Sequence, residues 1–105
     1  MDLNHYFNMK LNIGDLVKLK IACLGNKIGT LGVVFNEYPA FEGDGMGVQI
    51  IFKNGDYDGF SPEEQSEFFE IVSIDNYPYD SYEFNNVMHV SRDFSNGYWN
   101  KILNL

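Results

Sequence analysis

Alternating apolar and polar positions mark the first clear element of the chain. From Val17 to Ile21 every second side chain is apolar, and Lys18 and Lys20 occupy the positions between. A period of two places neighbouring side chains on opposite faces of a strand. The pattern therefore predicts a half-buried strand over residues 15–22 whose lysines face water.

Two further strands follow along the chain. Residues 30–37 centre on a Val-Val-Phe run that favours a strand, while Gly29 and Gly32 indicate a turn and a bulge or close backbone approach. Residues 39–47 are rich in glycine and acid and are expected to form a loop. Residues 47–53 alternate again, which predicts a third strand.

The dipeptide Asn54-Gly55 is a strong hairpin signal directly after this strand. A type I′ turn needs positive φ at both of its central positions, and asparagine and glycine tolerate that conformation best. We therefore predict a type I′ hairpin here, with a return strand over residues 56–60.

A helix start follows the return strand. Ser61 fits the N-cap, Pro62 fits the first helical position, and Glu64 completes an S-x-x-E capping box. The acidic side chains around it suit the positive end of a helix dipole. The helix is expected to run to about residue 70, and a short strand is expected over residues 71–74.

The last third of the chain shows weaker patterns. Residues 75–83 form an acidic, tyrosine-rich connection, and residues 84–91 are a predicted strand with apolar side chains at 87, 88 and 90. Asn96-Gly97 predicts a break in the chain. The apolar positions within residues 98–103 fit a short helix.

These elements predict the fold class. About five short strands with one helix inserted at about residues 61–70 indicate a mainly β protein, a small and strongly curved barrel. A chain of 105 residues fits a single domain. We divide it into an N-terminal arm (1–12), the barrel with its helix (13–74) and a C-terminal extension (75–105).

Two short motifs carry a resemblance to a known fold family. Gly14-Asp15-Leu-Val-Lys-Leu followed by Gly29-Thr-Leu-Gly32-Val-Val resembles the opening hairpin of SH3-like barrels of the KOW type. The resemblance covers residues 13–60 and implies a barrel that contacts RNA, ribosomal or transcription proteins. The loop between the motifs carries only Lys27 rather than a basic cluster, and this departure weighs against contact with nucleic acid.

A second resemblance involves segments further along the chain. Tyr57-Asp-Gly-Phe-Ser-Pro-Glu-Glu64, together with Asn86-Val-Met88 and Ser91-Arg-Asp-Phe94, is similar to a pattern found in uncharacterised bacterial proteins. This resemblance implies no activity.

Net charge and cysteine content restrict the classes of partner and the compartment that we expect. The net charge is −8, and residues 37–105 hold 13 acidic against three basic side chains. Such a field repels phosphates and anionic membranes and favours a basic partner, although it also fits a purely solubilising role. Cys23 is the single cysteine, so no intramolecular disulfide is expected. Without a signal-peptide or membrane-spanning pattern, we expect a cytoplasmic protein.

The sequence offers weak candidates for catalysis or metal binding. The string from Asn54 to Gly59 partly fits a calcium loop, but position 12, where such a loop needs an acidic ligand, is Gln65. A hairpin turn with solvated acids is the favoured explanation of the string. Cys23, His5 and His89 show no spacing typical of a nucleophile with its base or of a metal site. We therefore predict no catalytic residues, no metal, no cofactor and no enzymatic activity.

Aromatic residues next to acidic ones favour a binding function. The chain has nine Phe, seven Tyr and one Trp, and tyrosines are common interface anchors, although these aromatics also fit a role in filling or covering the barrel. We predict a non-enzymatic module whose surface over residues 56–84 binds a basic protein. The predicted binding residues are Glu63, Glu67, Glu70, Tyr77, Tyr79, Asp80 and Tyr82.

Two alternative functions remain open from the sequence. An acidic protein of this size can mimic nucleic acid and inhibit a protein that binds DNA or RNA. The lysine side of the predicted barrel, with Lys18, Lys20 and Lys27, can instead contact RNA or the ribosome in the manner of KOW domains.

Overall fold

A five-stranded antiparallel sheet with two helices forms the framework of the protein. A computed structural model describes residues 10–40, 45–73 and 87–98. Within these residues no helix is long and apolar enough to cross a membrane. The elements are β1 (Leu16–Leu19), β2 (Leu31–Pro39), β3 (Met46–Phe52), β4 (Tyr57–Phe60), α1 (Pro62–Phe68), β5 (Phe69–Ser73) and α2 (Val87–Ser95).

The strand order brings the first strand next to the last. The sheet runs β4-β3-β2-β1-β5, and every neighbouring pair is antiparallel. Helix α1 connects β4 to β5, the two edge strands, and contacts both of them. The prediction of a mainly β fold of about five strands with one inserted helix is confirmed.

Aromatic side chains fill the interior on one side of the sheet. Phe52, Phe60 and Phe69 are buried there, and the ring centroids of Phe60 and Phe69 are 4.8 Å apart in an edge-to-face arrangement. Gly32 lets two strands approach, because a Cβ added there would lie 2.8 Å from Cγ2 of Ile50. The sequence-based prediction of close backbone approach at this glycine is therefore confirmed.

The β3–β4 connection is a hairpin, as predicted, but the predicted turn type is wrong. Gly55 has a φ of +91°, whereas Asn54 does not have positive φ. The N–H of Gly55 donates to the carbonyl of Phe52, and the N–H of Phe52 donates to the carbonyl of Asp56. Three residues therefore form the loop, and its single left-handed position falls on glycine.

The β1–β2 loop contains the turn with two left-handed residues. Leu24 has a φ of 51° and Gly25 a φ of 78°, and Cys23 and Asn26 exchange both backbone hydrogen bonds around them. This is the arrangement of a type I′ turn, with a leucine at a position that disfavours side chains. Strand β1 ends at Leu19, before the predicted boundary at residue 22.

Helix α1 begins at the predicted residue and ends early. Its N-cap is Ser61 and Pro62 is its first residue, as the sequence indicates. The helix ends at Phe68 rather than at about residue 70, because Phe69 has extended backbone and begins β5. Phe69 is 1% exposed in the interior, so its burial in the sheet outweighs continuation of the helix.

The prediction of a last strand over residues 84–91 is wrong, because the described residues of that range lie in α2. Val87, Val90 and Phe94 recur at the spacing of one helical face, and that face packs on the sheet. Met88, at 78% exposure, points away from it. The β-branched side chains of Val87 and Val90 favour a strand locally, and the helical period is visible only when Phe94, beyond the predicted strand, is included.

Helix α2 covers the outer face of the sheet. Its buried side chains Val90 and Phe94 pack with Leu16, Val33 and Ile51, which point away from the interior described above. The predicted break after this segment is confirmed, because Gly97 has a φ of +74° and its N–H donates to the carbonyl of Phe94. The sheet is therefore buried on both faces where α2 crosses it.

The predicted terminal segments are only partly described. Leu11, assigned by the sequence to the arm, is 1% exposed and belongs to the interior. Residues 1–9 of the arm, the connection over 75–83 and residues 99–103 of the C-terminal helix lie outside the described residues.

A buried carboxylate at the start of β1 gives the fold a testable pH dependence. Asp15 is 6% exposed, and its Oδ2 accepts a hydrogen bond of 2.8 Å from the N–H of Asn12. Burial raises the pKa of Asp15 above its ordinary value of 3.8, and the hydrogen bond from Asn12 offsets part of this rise. The Asp15 carboxyl group therefore binds its proton more tightly in the folded state than in the unfolded state. The stabilisation that results is fully present below pH 3.8 and is lost as the pH rises through the pKa of Asp15 in the folded state.

We expect Asp15→Asn to raise the melting temperature at pH 7, because an amide keeps the acceptor without the buried charge. The difference in melting temperature between the variant and the natural protein should shrink as the pH falls towards 3.8. Thermal unfolding at both pH values measures this, with Glu67→Gln as an exposed control for net charge. A gap of equal size at both pH values would contradict the assignment.

Candidate functional site

Five carboxylates lie between the β3–β4 turn and the end of α1, and we call them the acidic surface. Among the described residues none of them forms an ion pair with lysine or arginine. No lysine or arginine occurs between Gly55 and Ser91 in the sequence. Within the part of the chain that the structure describes, ion pairs therefore do not neutralise the charge of this surface. Its members are Asp56, Asp58, Glu63, Glu64 and Glu67.

A capping box fixes the helix that carries three of these carboxylates. The hydroxyl of Ser61 accepts from the N–H of Glu64 at 3.2 Å, and Oε1 of Glu64 accepts from the N–H of Ser61 at 2.8 Å. Glu64 is thus partly engaged by the backbone. Glu63 and Glu67 are exposed and four residues apart, so they lie on the same side of α1.

A buried glutamine ties α1 to the interior. Gln65 is 2% exposed, and its Nε2 donates to the carbonyl of Met46 at 2.8 Å and, more weakly, to that of Phe60 at 3.4 Å. Its Oε1 accepts from the N–H of Leu11 at 3.3 Å. One side chain therefore joins α1 to two segments that are distant in sequence, at Leu11 and Met46, and anchors the helix that carries the glutamates.

The third predicted glutamate stands apart from the other two. Glu70 lies in β5, where its carboxylate forms a 3.0 Å ion pair with the ammonium group of Lys18. Both side chains are about half exposed, so the pair contributes little stability. It nevertheless compensates the charge of Glu70, which separates this residue electrostatically from Glu63 and Glu67.

Tyr38 lies across two strands beside the acidic surface. A Cβ added to Gly47 would lie 2.4 Å from Cε2 of this ring, and one added to Gly59 would lie 2.6 Å from its hydroxyl oxygen. The two glycines therefore leave room for the aromatic ring on β3 and β4. Sequence reasoning missed Tyr38, although a glycine inside a strand is a signal of close approach.

Two protonated groups border the carboxylates of Asp58 and Glu64. Burial, followed by the charges of Glu64 and Asp58, raises the pKa of Tyr38. Burial, followed by the charges of Asp58 and Glu64, likewise raises the pKa of the Cys23 thiol. A protonated thiol is a poor nucleophile, so this environment does not activate Cys23.

A second tyrosine and a pair of amides lie on the sheet face that points away from the interior, the face on which α2 packs. Tyr57 is 52% exposed, and its ring meets Phe35 edge to face with centroids 5.7 Å apart. Nδ2 of Asn36 donates to Oε1 of Gln49 at 2.9 Å across β2 and β3. Asn36 and Tyr38 are two residues apart on β2, so both face the same side of the sheet.

The remaining candidates from the sequence have different outcomes. Tyr77, Tyr79, Asp80 and Tyr82 lie outside the described residues. In the calcium-like string, Asn54 and Asp56 bond to each other, with the Asn54 Nδ2 to Asp56 Oδ2 distance at 3.1 Å. Across residues 10–40, 45–73 and 87–98, no group of three or more histidine, cysteine or acidic side chains is placed to hold a metal ion.

Comparison with known proteins adds no relative to this description. No protein-family model matches the chain, and neither the curated proteins nor the solved structures contain a significant match. Function must therefore be inferred from the geometry of the surface.

Proposed function

We propose that the protein is a non-enzymatic binding module of the cytoplasm that uses its acidic surface to bind a basic segment of another protein. The observation that carries this proposal is the set of five carboxylates from the β3–β4 turn to the end of α1, none of which forms an ion pair with lysine or arginine among the described residues. The resemblance of residues 13–60 to SH3-like barrels of the KOW type belongs to the same proposal.

Electrostatics supports a basic partner. Like charges close together repel, so the folded protein has electrostatic energy to gain when a cation neutralises them. Glu63 and Glu67 are exposed and lie one helical turn apart on a helix anchored by Gln65. A positioned pair of charges loses less entropy on binding than a mobile one.

The tyrosines beside the carboxylates favour arginine in that partner. Tyr57 is exposed, and Tyr38 is partly exposed next to Asp58 and Glu64. A guanidinium group stacks on an aromatic face and also pairs with a carboxylate. An arginine-rich segment uses both kinds of group, whereas an acidic or purely apolar segment uses neither.

Two of the three lysines named for contact with RNA, Lys18 and Lys20, are engaged within the fold. The ammonium group of Lys18 pairs with Glu70, and that of Lys20 donates to the carbonyl of Ser66 at the end of α1. Both cations therefore serve contacts within the fold, which favours the acidic surface over this alternative.

Charge reversal on α1 tests the proposal. A fluorescent peptide of alternating arginine and glycine, with both ends capped, serves as the basic probe. We expect Glu63→Lys/Glu67→Lys to weaken its binding by about tenfold or more at low salt, because each change replaces attraction with repulsion. Fluorescence anisotropy measures the affinity.

The matched comparison uses one reversal at each of two positions. Glu67→Lys and Glu70→Lys change the net charge equally, but the carboxylate of Glu70 is already paired with Lys18. Glu67→Lys should therefore weaken binding more strongly than Glu70→Lys. Equal losses at the two positions would show that only net charge matters, and unchanged binding in the double variant would refute the proposal.

A further inference from the structure

A surface cavity elsewhere on the protein is lined by basic rather than acidic side chains. It has a volume of about 390 Å³ and forms between the β1–β2 loop and the β3–β4 turn. This volume falls in the range of sites for small organic ligands. Its lining residues are Lys27, Ile28, Gly29, Thr30, Leu31 and Lys53.

Two lysines from separate loops line this cavity without a carboxylate partner. Neither Lys27 nor Lys53 forms an ion pair with any described residue, although the protein has a net charge of −8. Asp56, the acid nearest to Lys53 in sequence, is bonded by Asn54 instead. Two ammonium groups beside one cavity repel each other until an anion lies between them.

The apolar part of the lining restricts the chemical class of anion that fits the cavity. Ile28 is 68% exposed and Leu31 is partly buried, and both line the cavity. An inorganic anion would leave this apolar surface in water. An anion that carries an apolar group would cover it and gain hydrophobic free energy.

The turn geometry holds the loop side of this cavity in place. Gly29 has a φ of +90°, and its N–H donates to the carbonyl of Leu19 at the end of β1. The N–H of Thr30 donates to the carbonyl of Lys27. Lys27 and Ile28 therefore project from a turn whose backbone is fixed by hydrogen bonds.

We propose that this cavity binds a small phosphate monoester that carries an apolar organic group. A phosphate monoester bears close to two negative charges at neutral pH, which match the two lysines. Lysine is a common ligand of phosphate in proteins. The site shares no residue with the acidic surface, and the proposal does not depend on the function of that surface.

Phenyl phosphate is the probe for this proposal, with inorganic phosphate and benzyl alcohol as comparisons. In a titration followed by amide NMR, phenyl phosphate should shift the resonances of residues 28–31 and 53 and bind more tightly than either comparison compound. The variant Lys27→Gln/Lys53→Gln should weaken its binding by about tenfold or more, since two charge-assisted contacts are lost. Dispersed amide spectra confirm that the variant is folded.

Lys10→Gln/Lys20→Gln changes the net charge equally and serves as the control, with little loss expected. Equal binding of inorganic and phenyl phosphate would overturn the apolar part of the proposal. Equal losses in the two double variants, or shifts spread over other lysines, would overturn the site itself.

Discussion

Replacing Gln65 with leucine should lower the melting temperature by about 10–20 °C. The leucine fits the buried position but cannot bond the N–H of Leu11 or the carbonyl of Met46, which Gln65 now satisfies. Each buried polar group left without a partner costs about 1–3 kcal/mol, and the extra apolar burial offsets part of this. We expect a net loss of about 2–3 kcal/mol in the free energy of unfolding.

Glu67→Leu is the matched control, since it introduces the same side chain at an exposed position of the same helix. Its free energy of unfolding should stay within about 0.5 kcal/mol of the natural value. Chemical denaturation measures both variants. If Gln65→Leu proved as stable as the control, the glutamine would not be the anchor of α1.

Removing the ring of Phe94 should have the largest effect on stability. This side chain is 4% exposed and packs between α2 and the outer face of the sheet, against residues that include Val33 and Ile51. Truncation of a buried phenylalanine costs about 3–5 kcal/mol. We therefore expect Phe94→Ala to lower the melting temperature by at least about 15 °C.

Met88→Ala provides the comparison on the same helix. Met88 is 78% exposed, so its truncation removes little buried contact and should change the stability by less than about 0.5 kcal/mol. The two variants together test whether α2 packs through one face. Equal stability of Phe94→Ala and Met88→Ala would contradict the packing of α2 on the sheet.

The parts of the fold that were predictable from sequence are those with local signals. The capping box at Ser61 specifies its own hydrogen bonds, and the alternation in β3 places Val48, Ile50 and Phe52 on the interior face. The Asn54-Gly55 dipeptide located a hairpin correctly. In each case the residues that carry the signal are also the residues that make the contacts.

The errors arose where tertiary contacts decide between local alternatives. Val87 and Val90 favour a strand by propensity, and only Phe94, one turn further on, reveals the helical period. The turn at Leu24-Gly25 carries no glycine or asparagine at its first central position, so composition gave no sign of a type I′ turn there.

The candidate site was predictable in its charges and not in its architecture. Glu63 and Glu67 followed from the acid content of the helix. Tyr38 and Gln65 could not be identified, because their partners are distant in sequence: the ring of Tyr38 lies over Gly59, and Gln65 bonds Leu11 and Met46. Such contacts depend on the completed sheet.

The most direct test of the proposed function is the footprint of a basic peptide on the protein. Capped arginine-glycine peptide is added to isotope-labelled protein at low salt, and amide shifts are recorded along the chain. We expect saturable amide shifts concentrated at residues 56–67 and around Tyr38, with an affinity that falls as the salt concentration rises. Shifts spread evenly over all acidic residues, or no saturable binding at low salt, would contradict it.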